Sequence, residues 1–129
     1  MSIEQSNPMP LVLLVDDDED SRVLYAEYLT SIAGYRVAEA ENGKQALEMA
    51  AALRPKAIVM DMSLPLMDGR EAMRSLRGDA RTSEIPIIAL TGYTDVKASD
   101  DRASGFQIVL VKPCLPEALT RAIASVLQG

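Results

Sequence analysis

Four short apolar blocks punctuate the chain: Leu11-Val-Leu-Leu-Val15, Ala57-Ile-Val-Met60, Ile87-Ile-Ala-Leu90 and Ile108-Val-Leu-Val111. Each is partly β-branched and stops at a polar residue, which fits a strand buried on both faces better than a one-sided hairpin strand. A fifth, more alternating candidate runs from Arg36 to Ala40. Between the blocks lie helical stripes: Leu24, Tyr28 or Leu29, and Ile32; then Ala46, Leu47, Ala50 and Leu53; then Leu115, Leu119, Ile123 and Val126. The punctuation agrees. Gly34 follows the first stripe, Asn42-Gly43 precedes the second, Pro55 follows it, and Pro116 sits where the opening turn of the last helix tolerates a missing N–H.

Strands alternating with helices imply βαβ units, hence a doubly wound α/β fold: a parallel sheet covered on both faces in a three-layer sandwich. In such sheets ligands bind beyond the carboxyl ends of the strands, where the strand order reverses. The residues following the blocks are Asp16 and Asp17, then Asp61, Thr91 and Lys112. A polar residue after a buried strand is ordinary in any α/β chain as it exits to solvent. Acid, acid, hydroxyl and lysine at the same depth of different strands are not. Carboxylates sharing a cleft repel unless a cation neutralises them, and oxygen-only ligands point to Mg²⁺ (or Mn²⁺) rather than zinc. A lysine and a hydroxyl facing such a metal are what a phosphoryl group requires.

Composition narrows the chemistry. The 129 residues carry 13 Lys+Arg against 19 Asp+Glu, a formal net charge of −6, and no histidine. Missing histidine removes the usual general base and metal ligand. The acidic balance lacks the basic footprint of a nucleic-acid binder, so direct DNA contact is not expected. With 48% hydrophobic and 25% charged residues the chain supports one ordinary globular domain. The run Asp16 to Asp20 divides into two site residues and three acids that start a helix, where they meet its dipole and can cap it. No apolar run approaches the roughly 20 residues of a membrane span. A single Cys114 forms no intrachain disulfide, so a cytoplasmic protein without membrane association is expected.

The segments Val15-Asp-Asp-Asp18, Ile58-Val-Met-Asp61-Met-Ser-Leu-Pro65-Leu-Met-Asp68-Gly69, Ile88-Ala-Leu-Thr91-Gly92 and Val111-Lys-Pro113 together resemble the signature of the response-regulator receiver domain of two-component signalling. The likeness runs from about Leu11 to Leu127, with residues 1–9 as a loose extension and 10–129 as the receiver. It implies the flavodoxin-like strand order 2-1-3-4-5 and a phosphorylatable aspartate, Asp61, taking its phosphoryl group from a phosphohistidine on a histidine kinase or histidine phosphotransfer protein. It further implies that Asp17 and Asp61 hold Mg²⁺ directly, with the backbone carbonyl of Ser63, while Asp16 acts chiefly through a water. Thr91 and Lys112 would meet the phosphoryl oxygens, with a Lys112-Pro113 peptide that is commonly cis. Such a chain catalyses only its own phosphorylation and dephosphorylation and is no turnover enzyme. It would act on a downstream protein target.

The chain departs from the family pattern at Val109, where many receivers carry an aromatic residue that reports phosphorylation; a β-branched side chain with few rotamers cannot swing as a ring does. The region 94–103 holds few apolar residues, so a shift there, on a face shared with the fifth strand and the last helix, is the expected output. Cys114 reads as a small buried hydrophobe rather than a redox sensor. Two rivals stand beside this reading. One is a haloacid-dehalogenase-type phosphatase with Asp16 as nucleophile and Asp18 as acid–base, which leaves Asp61 and its loop unexplained. The other is a binding module that works without phosphorylation.

Overall fold

The structure, a computed structural model, describes residues 9–92 and 105–128. Five parallel strands lie in the order β2-β1-β3-β4-β5, with β1 Leu11–Val15, β2 Arg36–Ala40, β3 Ala57–Asp61, β4 Ile87–Thr91 and β5 Ile108–Val111. The helices among the described residues are α1 Glu19–Ser31, α2 Gly43–Leu53, α3 Gly69–Arg77 and α4 Pro116–Gln128. The helix expected over 94–103 lies outside the described residues. The five expected strands are present, and the strand order is the one implied by the resemblance.

Alternation along the central strands divides the core into two layers. Leu13, Val15, Ile58, Met60, Ile87 and Ala89 face Ala46, Ala50, Ala72, Met73 and Leu76 of α2 and α3. Val12, Leu14, Val59, Ile88 and Leu90 face Tyr25, Ala26 and Leu29 of α1 and Leu119, Ala122 and Ile123 of α4. The strands read as continuous apolar runs because both sets are buried. Val109 is half-buried against the α2/α3 layer and fills the sheet beside β4. Cys114 is half-buried against the other layer, and burial pushes its thiol up.

Helix boundaries follow local chemistry. Asp18, Asn42 and Asp68 cap α1, α2 and α3 by accepting the amides of Ser21, Gln45 and Glu71, so the acids after Asp17 do start a helix. Arg54 closes α2 in a left-handed conformation before Pro55. Two expected stripes shift. On α1 the inward face is Tyr25, Ala26 and Leu29, while Leu24 and Ile32 are 59% and 68% exposed. Apolar residues surround this helix on several sides, so periodicity alone did not set its rotation. On α4, Leu115 precedes the first helical residue and is 69% exposed, leaving Leu119 and Ile123 as the buried pair.

Arg77 closes the base of the sheet. Its Nε and Nη2 donate to the Gly105 carbonyl (3.2 and 2.7 Å), its Nη1 to the Ser83 and Ile85 carbonyls (3.0 and 2.7 Å), and its Nη2 to Gln107 Oε1 (3.0 Å). The same Gln107 oxygen accepts the Ile87 amide at 2.8 Å. One planar fork thus ties the end of α3 to the entries of β4 and β5.

Two glycines of this region should respond oppositely to a methyl group. Gly105 has φ +135°, and a Cβ there would stand 2.7 Å from Met73 Sδ. Gly78 has φ −83°, and its nearest contact would be 3.5 Å away at the Arg74 carbonyl. Gly105→Ala is expected to lose about 1–3 kcal/mol. Gly78→Ala should be neutral or gain about 0.4–1 kcal/mol. Urea midpoints at unchanged m-value measure both.

Candidate functional site

The parallel register brings the strand-end residues to one edge. Asp16 continues β1 by donating its amide to the Ala40 carbonyl at 3.0 Å, and Asp61 is the last residue of β3, opposite Leu90. Thr91 ends β4 one residue further on, and the Lys112 amide donates to its carbonyl at 2.8 Å. The peptide Lys112–Pro113 is cis. Asp16, Asp17 and Asp61 each offer a carboxylate oxygen within 4.8 Å of the others. Lys112 Nζ lies 2.8 Å from Asp61 Oδ2. The Ser63 amide donates to Asp61 Oδ1 at 2.9 Å, which holds the exposed Ser63 beside the aspartate. Thr91 is buried, and its Oγ1 reaches the Gly92 carbonyl only at 3.4 Å.

The acids are held in unequal environments. Asp16 is 1% exposed and Asp17 is exposed. Asp16 Oδ1 accepts the Asp18 amide at 2.9 Å, whereas its buried Oδ2 has no hydrogen-bond partner among the described residues. Burial foremost, and then the charge of Asp61, push the Asp16 carboxyl up to about 6, against the pull of the Asp18 amide and of Lys112. At such separations two carboxylates repel by on the order of 3 kcal/mol per pair at an effective dielectric of about 20. A buried acceptor without a donor among the described residues, on a carboxylate clustered with two others and with neither histidine nor thiol among them, fits a hard divalent cation such as Mg²⁺. Asp16, Asp17 and Asp61 are the side chains that could hold it.

One residue bracing the site left no mark in the sequence. Arg22 Nη1 donates to the Asp16 carbonyl at 2.9 Å, and its Nε pairs with Glu39 at 3.0 Å. A polar residue one turn into an acidic helix start reads as solvated surface, and its partner here is a main-chain oxygen. The loop after β3 is steeply shaped as well: Leu66 has φ +70° and is 91% exposed, and the Met67 amide returns to the Pro65 carbonyl at 2.7 Å. Its two ends rest on helix-start glycines, where a Cβ at Gly43 would stand 3.0 Å from the Met67 carbonyl and one at Gly69 would stand 2.6 Å from Met62 Sδ.

A 2-1-3-4-5 parallel sheet with acids beyond β1 and β3, threonine ending β4 and lysine after β5 defines a receiver-type phosphorylation fold. The family model "Response regulator receiver domain" matches residues 12–124, and the chain belongs to that family, the receiver domain of two-component response regulators. It is 37% identical over 121 residues to the transcriptional regulatory protein AfsQ1 of Streptomyces coelicolor, covering 93% of this chain and 52% of that protein. The chain therefore spans about half the length of the curated relatives it matches. Among solved structures, the receiver domain of the sensor histidine kinase PA1611 from Pseudomonas aeruginosa, crystallised with magnesium in its active-site cleft, superposes with a TM-score of 0.85 at 31% identity, over 94% of this chain and 99% of that one. The chemotaxis response regulator CheY4 of Vibrio cholerae gives 0.84 at 34% identity, over 92% and 99%. Receiver domains typically bind Mg²⁺, partner with histidine kinases and are in general not turnover enzymes. The membership does not favour the phosphatase reading. Nor does the geometry, because the lysine pairs with Asp61 and not with Asp16. No helix among the described residues is long and apolar enough to cross a membrane.

The unusual proton affinity of Asp16 has a definite sign. A carboxyl raised from 3.8 to about 6 on folding makes the folded state bind a proton that the unfolded state has already lost, so stability falls as pH rises between those values. In chelator, the wild type should lose up to about 3 kcal/mol relative to Asp16→Asn between pH 4 and pH 7. Added Mg²⁺ at pH 7 should restore stability to the wild type and much less to the variant. Urea unfolding at both pH values measures each difference.

Proposed function

We propose that this receiver accepts a phosphoryl group on Asp61 from the phosphohistidine of a histidine kinase or histidine phosphotransfer protein. The observation that carries the reading is the Lys112–Asp61 ion pair set against Asp16 and Asp17. A carboxylate nucleophile needs no general base, which suits a chain without histidine. An Asp61 oxygen attacks phosphorus, the P–N bond to the partner's imidazole breaks, and the imidazole leaves with that electron pair. Lys112 exchanges its contact with the Asp61 carboxylate for one with a phosphoryl oxygen. Thr91, whose hydroxyl makes a long bond to the Gly92 carbonyl, donates that hydroxyl to another. The amide of Ser63 fixes the carboxylate plane through Oδ1. Asp17 and Asp61 with the Ser63 carbonyl would hold Mg²⁺, and Asp16 would support it chiefly through a water. When bound, the ion neutralises the clustered acids and shares the charge of the phosphoryl oxygens. The surplus of acidic residues does not suit this domain to direct DNA contact, so the response passes to a protein target.

Incubation with acetyl phosphate and Mg²⁺ should add one phosphoryl group to Asp61, located by mass spectrometry after borohydride trapping. Excess chelator and Asp61→Asn should each abolish it, and Lys112→Ala should slow it by about 10²-fold or more. An adduct on Asp16 instead, or labelling that persists in chelator, would sink the reading.

A further inference from the structure

Lys112 opens a short connection, where its own amide is tied to the Thr91 carbonyl at 2.8 Å. The connection leaves β5 after Val111 and enters α4 at Pro116. Within it Pro113 carries no N–H with which to anchor a turn, and neither does Pro116, where the helix begins. The main-chain oxygen of Cys114, two residues beyond the lysine, is bound from across the molecule: Tyr25 Oη donates to it at 2.5 Å over a sequence separation of 89. Tyr25 is buried on the inward face of α1 with Ala26 and Leu29, so its ring is held by packing and its hydroxyl stands at a fixed point. Burial foremost, and then the neighbouring Cys114, Asp16 and Asp61, raise the phenol and keep it a donor.

The same helix holds the opposite wall of the site. Arg22, three residues earlier and thus on an adjoining part of the helix surface, binds the Asp16 carbonyl at 2.9 Å. α1 is therefore a strut between the acidic loop after β1 and the lysine loop after β5. We propose that Tyr25 is a positioning residue for phosphoryl transfer, holding the Cys114 carbonyl so that Lys112 stands at the distance from Asp61 that the reaction uses. This rests on Asp61 being the acceptor, and the role runs entirely through Lys112. Asp16 and Asp17 follow β1 and Asp61 ends β3, so none of the metal-holding acids lies on the tethered connection itself.

The full chain tests this with acetyl phosphate as donor and intact-mass measurement of the phosphorylation rate across a Mg²⁺ titration. Four proteins are compared: wild type, Tyr25→Phe, Lys112→Ala and the double variant. Loss of one hydrogen bond should slow Tyr25→Phe about threefold to tenfold at saturating Mg²⁺, with its Mg²⁺ half-saturation unchanged. In the Lys112→Ala background the same change should have no further effect, because the group being positioned is gone. An unaltered rate in Tyr25→Phe, an equal fractional loss in both backgrounds, or a half-saturation that moves with the rate would overturn the inference while leaving Asp61 as acceptor. A wild type with no label on Asp61 would overturn the proposed function and the inference together.

Discussion

Like charges forced to one edge of a parallel sheet are the constraint around which this molecule is arranged. The register of β1 with β3 leaves Asp16 and Asp61 at neighbouring strand ends, and Asp17 completes a group whose oxygens lie within 4.8 Å of one another. Each neighbouring feature answers that repulsion: the Asp18 and Ser63 amides turn toward carboxylates, Lys112 pairs with Asp61, and a divalent ion suits what remains. The oxygen of Asp16 left without a donor measures how far the protein's own groups fall short. A receiver needs that shortfall, since a cleft neutralised by its own residues would have no call for a metal or a phosphoryl group.

The strands and their polar ends were legible for one physical reason. Burial on both faces writes a strand as an unbroken apolar run, and the run must end where the chain meets the acid, hydroxyl or amine at the edge. Val15 before Asp16 and Leu90 before Thr91 show this directly. The rotation of α1 was not legible. Val23, Leu24, Tyr28 and Ile32 compete in apolarity with the buried Tyr25, Ala26 and Leu29. The cap at Asp18 and the tie from Arg22 fix the helix relative to the sheet. The ties that Arg22 and Tyr25 make to the site were not legible, because they end on the carbonyls of Asp16 and Cys114, which belong to the backbone. A side chain that binds main chain leaves no complementary letter elsewhere in the sequence.

The two ends of the sheet are built differently. At the base, Arg77 spreads its donors over the carbonyls of Gly105, Ser83 and Ile85 and the side chain of Gln107, fixing geometry with neutral acceptors. At the other end geometry is fixed by charge. Leu13, Ile58 and Ile87 of the central strands are buried between the two, so an apolar layer separates the two polar networks.

Gly43 and Gly69 clasp the loop that leads away from Asp61, with Met67 against the first and Met62 against the second. A methyl group at Gly69 would collide with Met62 Sδ and one at Gly43 would press on the Met67 carbonyl, and Leu66 between them is bent into a left-handed turn. Bulk at either glycine would therefore push on the segment that carries Ser63 beside Asp61. The two glycines are in this sense part of the aspartate's setting, because the side chain each lacks leaves the space in which Met62 and Met67 lie.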